Sequence, residues 1–360
     1  MAILPLLSYS ATFLRTSAMV AYPFYRTNRI QGFAMTTHNN TTHNTTPHTT
    51  TIFGGSGFLG RHIVKRLAAR GDIVKVAVRH PERANFLKPM GDVGQIVLLK
   101  ANLQDPAAVI DVVAGSDTVI NCVGLLAESG RQRFASLHVD GVRRIAQAAE
   151  VMEVDRFIHL SAIGADPNAD ALYSRTKGLG EQAAREAFPN VTILRPSLVF
   201  GAEDKFFNLF AGFARWLPAL PVFGGGHNKF QPVYVGDVAD AVMAALNNSD
   251  TVGKTFELGG AATYSFRQLL QLMLQITGYN RLLIPVPMPL AYLQALILER
   301  LPTPLLTRDQ LRLLKKDNVV ADKALTLKDL GITPTALESI LPSYLSAFKN
   351  PKDHRGVQLD

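Results

Sequence analysis

Thr51-Ile52-Phe53-Gly54-Gly55-Ser56-Gly57-Phe58-Leu59-Gly60 is a short β-branched and aromatic run that breaks into glycines spaced three apart. It reads as a strand turning directly into a helix. Gly54 permits the tight turn, Gly57 lets backbone N–H groups approach a pyrophosphate, and Gly60 lets the helix pack closely on the sheet. Ser56 lies within the turn. Phe58 and Leu59 open the helix, whose N-terminus offers partial positive charge to an anion. Apolar residues at Leu59, Ile63 and Leu67 keep the helical period as far as Arg70, Gly71 stops it, and Ile73–Val78 follows as a second strand. In that setting the glycines mark a dinucleotide-binding unit.

Outward from this unit the segments alternate. Strands are expected at 96–100, 118–122, 156–161 and 191–195, and helices at 106–114, 133–151 and 173–188. The strands are continuous apolar runs, as in Gln95-Ile96-Val97-Leu98-Leu99, which is the signature of strands covered on both faces. The fold class is therefore α/β, a Rossmann-type doubly wound parallel sheet. Beyond Arg195 the pattern turns irregular and proline-rich, which suggests a smaller C-terminal lobe. The division read from the sequence is a leader over 1–48, a nucleotide-binding core over 49–200, a lobe over 201–348 with segments returning to the core, and a tail over 349–360.

At 360 residues and 47% hydrophobic content the chain can bury a sizeable core. Its formal charge of +8 comes from basic residues scattered along the chain rather than gathered in blocks, which argues against a nucleic-acid partner. Cys122 is the one cysteine, so there is no disulfide framework and no thiolate cluster. No Asp or Glu precedes Asp72, and Thr36–Thr51 is a Thr/Asn/His tract. The first 50 residues thus resemble an organelle presequence, or a disordered leader with translation starting at Met35. His38, His43 and His48 recur every five residues without carboxylate or cysteine partners, so no metal site is expected.

Two further positions carry chemistry. Arg79 follows the second strand, about 20 residues beyond the glycines, where an NAD site carries a carboxylate for the ribose 2′-hydroxyl; Arg83 stands one helical turn later. A guanidinium suits a 2′-phosphate, so NADP(H) is expected over NAD(H). Tyr173 and Lys177 lie four apart on one face of the helix after the fifth strand. A cation beside a phenol favours phenolate, an acid/base for exchanging a proton with a carbonyl or alcohol.

Gly54-x-x-Gly57-x-x-Gly60, Tyr173-x-x-x-Lys177 and Arg195-Pro196-Ser197-Leu198-Val199-Phe200-Gly201 together resemble the extended or atypical short-chain dehydrogenase/reductase superfamily. Within it, the chain is most similar to the NAD(P)H-binding accessory subunits of respiratory complex I and their bacterial relatives. The supporting runs are Gln231-Pro232-Val233-Tyr234-Val235-Gly236-Asp237, Leu306-Thr307-Arg308-Asp309-Gln310-Leu311 and Asp317-Asn318-Val319-Val320. The resemblance spans about 50–348. It implies that Asn102 and Leu103 line an adenine pocket, that Val123-Gly124 runs under the cofactor, and that Pro196 and Ser197 border the nicotinamide.

Departures from the superfamily pattern are informative. The substrate-binding hydroxyl usual after the fifth strand aligns with Ala162, with Ser161 one residue early, and His138 replaces an asparagine on the preceding helix. Two roles follow as expectations. One is a complex I accessory subunit with a structurally held cofactor, attached to complex I subunits or the membrane surface on the cytoplasmic or matrix side. The other is an NADP-dependent reductase or epimerase acting on a small carbonyl or alcohol, with Tyr173, Lys177 and Ser161 as its catalytic residues. The apolar run Leu290–Leu298 is too short to span a bilayer but could dock on a membrane or a subunit, with Arg308, Arg312, Lys315 and Lys316 downstream.

Overall fold

The computed structural model describes residues 47–128, 133–301 and 304–351. His38, His43 and nearly all of the expected leader and tail lie outside the described residues. His48 is described, and its Nε2 stands 2.9 Å from Thr118 Oγ1 at the start of the sheet.

Six strands are laid down first: β1 (Thr49–Phe53), β2 (Ile73–Val78), β3 (Ile96–Lys100), β4 (Thr118–Asn121), β5 (Arg156–Leu160) and β6 (Thr192–Pro196). Between them run α1 (Phe58–Arg70), α2 (Pro106–Val113), α3 (Gly141–Val151) and α4 (Leu172–Ala187). The later chain holds α5 (Phe206–Trp216), α6 (Val235–Asn247), β7 (Thr255–Leu258), α7 (Phe266–Thr277), α8 (Met288–Leu298), α9 (Arg308–Leu313) and α10 (Leu337–Leu345). Strand β7 pairs with β6, giving a parallel sheet of seven strands in the order β7-β6-β5-β4-β1-β2-β3. The order reverses between β1 and β4, so a crevice opens beyond their C-terminal ends.

The uninterrupted apolar strands are explained by cover on both faces. Ile52, Val76, Ile120, Ile158 and Leu194 point into one core with Ile63, Val64 and Leu67 of α1 and Val238 and Val242 of α6. Their neighbours Phe53, Ala77, Val119, Phe157 and Ile193 enter the opposite core with α2, α3 and α4. Two local elements differ from expectation. Pro81–Met90 forms 3₁₀ turns after β2. The helix expected over 133–151 is divided, with a π-helical segment at Ala135–Asp140 preceding α3. The wider turn places the carbonyl of His138 where a Cβ on Gly180 would meet it at 2.0 Å, so α4 packs on it backbone to backbone.

Beyond β6 the chain moves between two cores. Helix α6 and β7 return to the sheet, followed by Leu327, Leu330 and Ile332. Phe200, Phe207, Phe266, Met273, Ala291 and Leu341 build a separate core among α5, α7, α8 and α10. Side chains from the runs that marked the resemblance stitch these returns in place. Asn318 Oδ1 accepts from Ser197 Oγ at 2.6 Å and from the Leu198 amide at 3.0 Å. Gln231 Oε1 accepts from the Val320 amide at 3.1 Å, and Asp237 accepts from the Thr335 amide and hydroxyl, both at 2.7 Å. Among the described residues no helix is long and apolar enough to cross a membrane.

Candidate nucleotide site

Gly54 has φ +79°, a left-handed conformation, and a Cβ there would stand 2.9 Å from the Cys122 carbonyl carbon. The turn therefore lies directly against the end of β4. Gly60 is closer still, since its Cβ would meet Gly54 O at 2.2 Å. Gly57 differs: its Cβ would meet only Gly54 O, at 3.2 Å, and otherwise faces open space. Helix α1 begins at this open side with no side-chain cap and no acidic residue in its first turn. An anion is what completes such a helix end.

The end of β4 is shaped by polar side chains. Asn121 Oδ1 accepts from the Val123 amide at 3.0 Å, while its Nδ2 donates to His159 Nδ1. Lys177 arrives from α4 across this loop, and a Cβ on Gly124 would lie 3.5 Å from its Nζ. The ammonium donates to Leu160 O at 3.1 Å. The geometry thus gathers the glycine turn, Val123-Gly124 and Lys177 at one place. Arg79 and Asn102 lie exposed beyond β2 and β3 on the same side of the crevice, while Leu103 is buried and packs beneath Gly141. The Asn102 side chain accepts from the Gln104 amide, which shapes its own turn. Phe58 packs toward Gly201 and Leu59 joins the sheet core, so both contribute position rather than polar groups. Pro196 and Ser197 end β6, but the Ser197 hydroxyl is turned to Asn318.

Electrostatics set the character of the site. Burial brings the Lys177 ammonium down to about 8, with the Glu181 carboxylate and Cys122 opposing it. Tyr173 is half-buried, with the rings of Phe134 and His138 edge-on to it at 6.0 and 5.6 Å. Burial pushes its phenol up to about 12. The expected phenolate is thus opposed, because desolvation favours the neutral phenol of Tyr173. His138 takes the Leu125 amide on Nε2 at 3.0 Å, so its proton sits on Nδ1 and is donated to Thr176 Oγ1. It is a neutral brace with its pKa lowered to about 3, first by burial and then by Lys177. Ser161 is 5% exposed and its Oγ has no hydrogen-bond partner. That hydroxyl is buried just past the end of β5.

Sequence reasoning did not single out the residue that caps α4. Ala171 stands at the N-cap and provides no side-chain acceptor. Asp309, from α9, reaches across and accepts from the Leu172 amide at 2.6 Å and the Tyr173 amide at 2.9 Å. A cleft of about 450 Å³ opens beside this contact, lined by Phe134, Leu172, Glu299, Arg308, Asp309 and Arg312 among others. The run 306–311 carried Asp309, but nothing local indicates a bond spanning 137 residues.

The model of the NAD dependent epimerase/dehydratase family matches residues 50–259, from the first strand through β7. The chain belongs to that family. Its relatives include the NADH-ubiquinone oxidoreductase 40 kDa subunit, mitochondrial, of Neurospora crassa, 34% identical over 83% of this chain and 79% of that one. The NADH dehydrogenase [ubiquinone] 1 alpha subcomplex subunit 9, mitochondrial, of Arabidopsis thaliana is also 34% identical, covering 83% of this chain and 77% of that one. Among solved structures, the dTDP-glucose 4,6-dehydratase DesIV of Streptomyces venezuelae, with NAD bound, superposes with a TM-score of 0.63. It is 20% identical and covers 83% of this chain and 96% of that one. At that identity the likeness concerns the fold. The family is NAD(P)-binding, and the open glycine turn at the β1/β4 reversal is the part of this chain that fits such a cofactor.

Proposed function

We propose that this chain is an accessory subunit of respiratory complex I that holds NADP(H) as a fixed part of its structure. The observation that carries the reading is an intact nucleotide cradle beside a position, Ala162, that lacks the substrate-binding hydroxyl. Gly54, Ser56, Gly57, Phe58, Leu59 and Gly60 form the pyrophosphate turn, and Val123, Gly124 and Lys177 close beside it. Asn102 and Leu103 flank the adenine end, and Pro196 and Ser197 the nicotinamide end. Arg79 stands where an acid would select NAD and favours the 2′-phosphate of NADP(H). When bound, the nicotinamide supplies a hydride donor or acceptor. Against turnover stand the methyl of Ala162 at the hydroxyl position and the buried hydroxyl of Ser161 one residue earlier.

The partner assignment rests on relatives over most of the chain that are named as complex I subunits. A surface suited to it is present: Leu290, Leu293 and Ile297 form one exposed stripe along α8. The basic residues downstream are less available to anionic lipid than their number suggests. Arg308 pairs with Glu299, Arg312 with Asp309, and Lys315 covers the Tyr292 ring. We therefore assign the stripe to a protein partner at the inner membrane. Affinity capture of the tagged chain from native membranes, with NADH:quinone activity of a deletion strain, tests the assignment. Co-purification of complex I subunits and loss of activity are expected; neither occurring overturns it.

A further inference from the structure

Helix α4 carries both Tyr173 and Lys177, and its first turn is anchored from outside the sheet. Two of the first-turn amides that α4 cannot satisfy internally are met by one carboxylate, Asp309, whose side chain is only 17% exposed. Asp309 is itself placed by a short chain of contacts. Thr307 and Gln310 form a reciprocal capping box around the start of α9. Glu299, just after α8, accepts from Arg308 Nε at 2.8 Å and from the Arg308 amide at 3.3 Å. The seat of α9 is thus tied to the end of α8, the helix with the exposed apolar stripe. At the other end, Lys177 lies one turn beyond the capped amides, against Gly124 and Leu160 O.

We propose that Asp309 is a positioning residue of the nucleotide site: by fixing the first turn of α4 it fixes Lys177, and it makes nucleotide retention depend on how α8 and α9 are seated. The inference rests on the dinucleotide reading above. Its logic is mechanical. A carboxylate holding two amides sets both the axial position and the rotation of a helix end, and a negative charge at an N-terminus also stabilises it. Release of α9 leaves these amides unpaired, the first turn frays, and the lysine loses its fixed approach to Gly124. Because binding coupling is reciprocal, a partner that seats α8 tightens the nucleotide, and a bound nucleotide strengthens the partner's hold.

The test is NADPH dissociation from the full chain, read by loss of bound-nucleotide fluorescence. Amide exchange at Leu172 and Tyr173 and thermal melting are measured in parallel. The variants are Asp309→Ala, Asp309→Asn, which keeps one acceptor, and Glu299→Gln, which leaves Asp309 intact but loosens α9. Dissociation is expected to accelerate at least tenfold in Asp309→Ala and by a smaller factor in the other two, with faster exchange at the two amides. A Lys177→Met control should lose NADPH while exchange at Leu172 and Tyr173 stays at the wild-type rate in the nucleotide-free protein. Wild-type protein that binds neither NADPH nor NADH overturns the dinucleotide reading itself. Wild-type protein that binds, with dissociation within twofold in every folded Asp309 and Glu299 variant, overturns the positioning role. Faster exchange or a lower melting temperature without faster dissociation reduces Asp309 to a structural cap and equally overturns it. If Asp309→Ala does not fold, Asp309→Asn and Glu299→Gln decide.

Discussion

Lys177 is the residue on which binding depends most directly, because it is the buried cation beside the glycine turn. With its pKa brought down to about 8, the charge that meets an anionic cofactor is lost above that pH. NADPH affinity measured by titration calorimetry should therefore be level around pH 7 and fall as pH rises through 8, with a separate decline below about pH 6 as the 2′-phosphate takes up a proton. Lys177→Met should show weak binding with this pH step removed. His138 gives a separate signature in stability. Its pKa drops from an ordinary 6.5 to about 3 on folding, so between those values the unfolded chain binds more protons. Its contribution is fully present above pH 6.5 and is lost as pH falls toward 3, at no more than ~1.4 kcal/mol per pH unit for one group. Melting temperature should decline over that window, and His138→Asn should flatten the decline. Gly60→Ala would drive a methyl to 2.2 Å from Gly54 O and should cost at least ~2 kcal/mol while abolishing nucleotide retention.

At the scale of elements, the sheet was legible because its first six strands are short β-branched or apolar runs, and β1, β3, β4 and β5 are each followed by a helical period. Both faces are buried, so burial itself is written into the sequence. The π-helical turn at Ala135–Asp140 was not legible, since its His138 carbonyl packs against Gly180 of α4, a distant segment. The seventh strand was hidden for a similar reason: Thr255–Leu258 is only four residues long and is defined by pairing with β6. Within the site, the glycine turn, Tyr173 and Lys177 were readable from spacing. The Asn121–His159 bond, the interior placement of Ser161 and the Asp309 cap were not, because each depends on packing between elements. Asp237 is a further case, holding the chain at Thr335 with two bonds at 2.7 Å. Asp237→Ala should lower stability by about 1–3 kcal/mol in a denaturant titration, with NADPH affinity little changed.

For the whole molecule, the nucleotide crevice and the exposed stripe on α8 belong to different cores. The chain of contacts through Glu299, Arg308 and Asp309 links them, so substitution on the stripe tests partner binding without removing a group that lines the nucleotide site. Leu293→Asp with Ile297→Asp replaces side chains 58% and 65% exposed, so the fold should tolerate it, whereas a partner covering the stripe should not. Complex I assembly on native gels should fall, and the unassembled variant should release nucleotide faster than the assembled wild-type chain. The account makes the cofactor a lasting component rather than a reactant, and this is its central claim. The measurement that tests it most directly is extraction and identification of the nucleotide in chain isolated from native complex, followed by attempted turnover with carbonyl and quinone oxidants. Stoichiometric NADPH that stays reduced is the predicted result. A site holding NADH or no dinucleotide, or NADPH that is oxidised in a Tyr173-dependent reaction, would contradict the account.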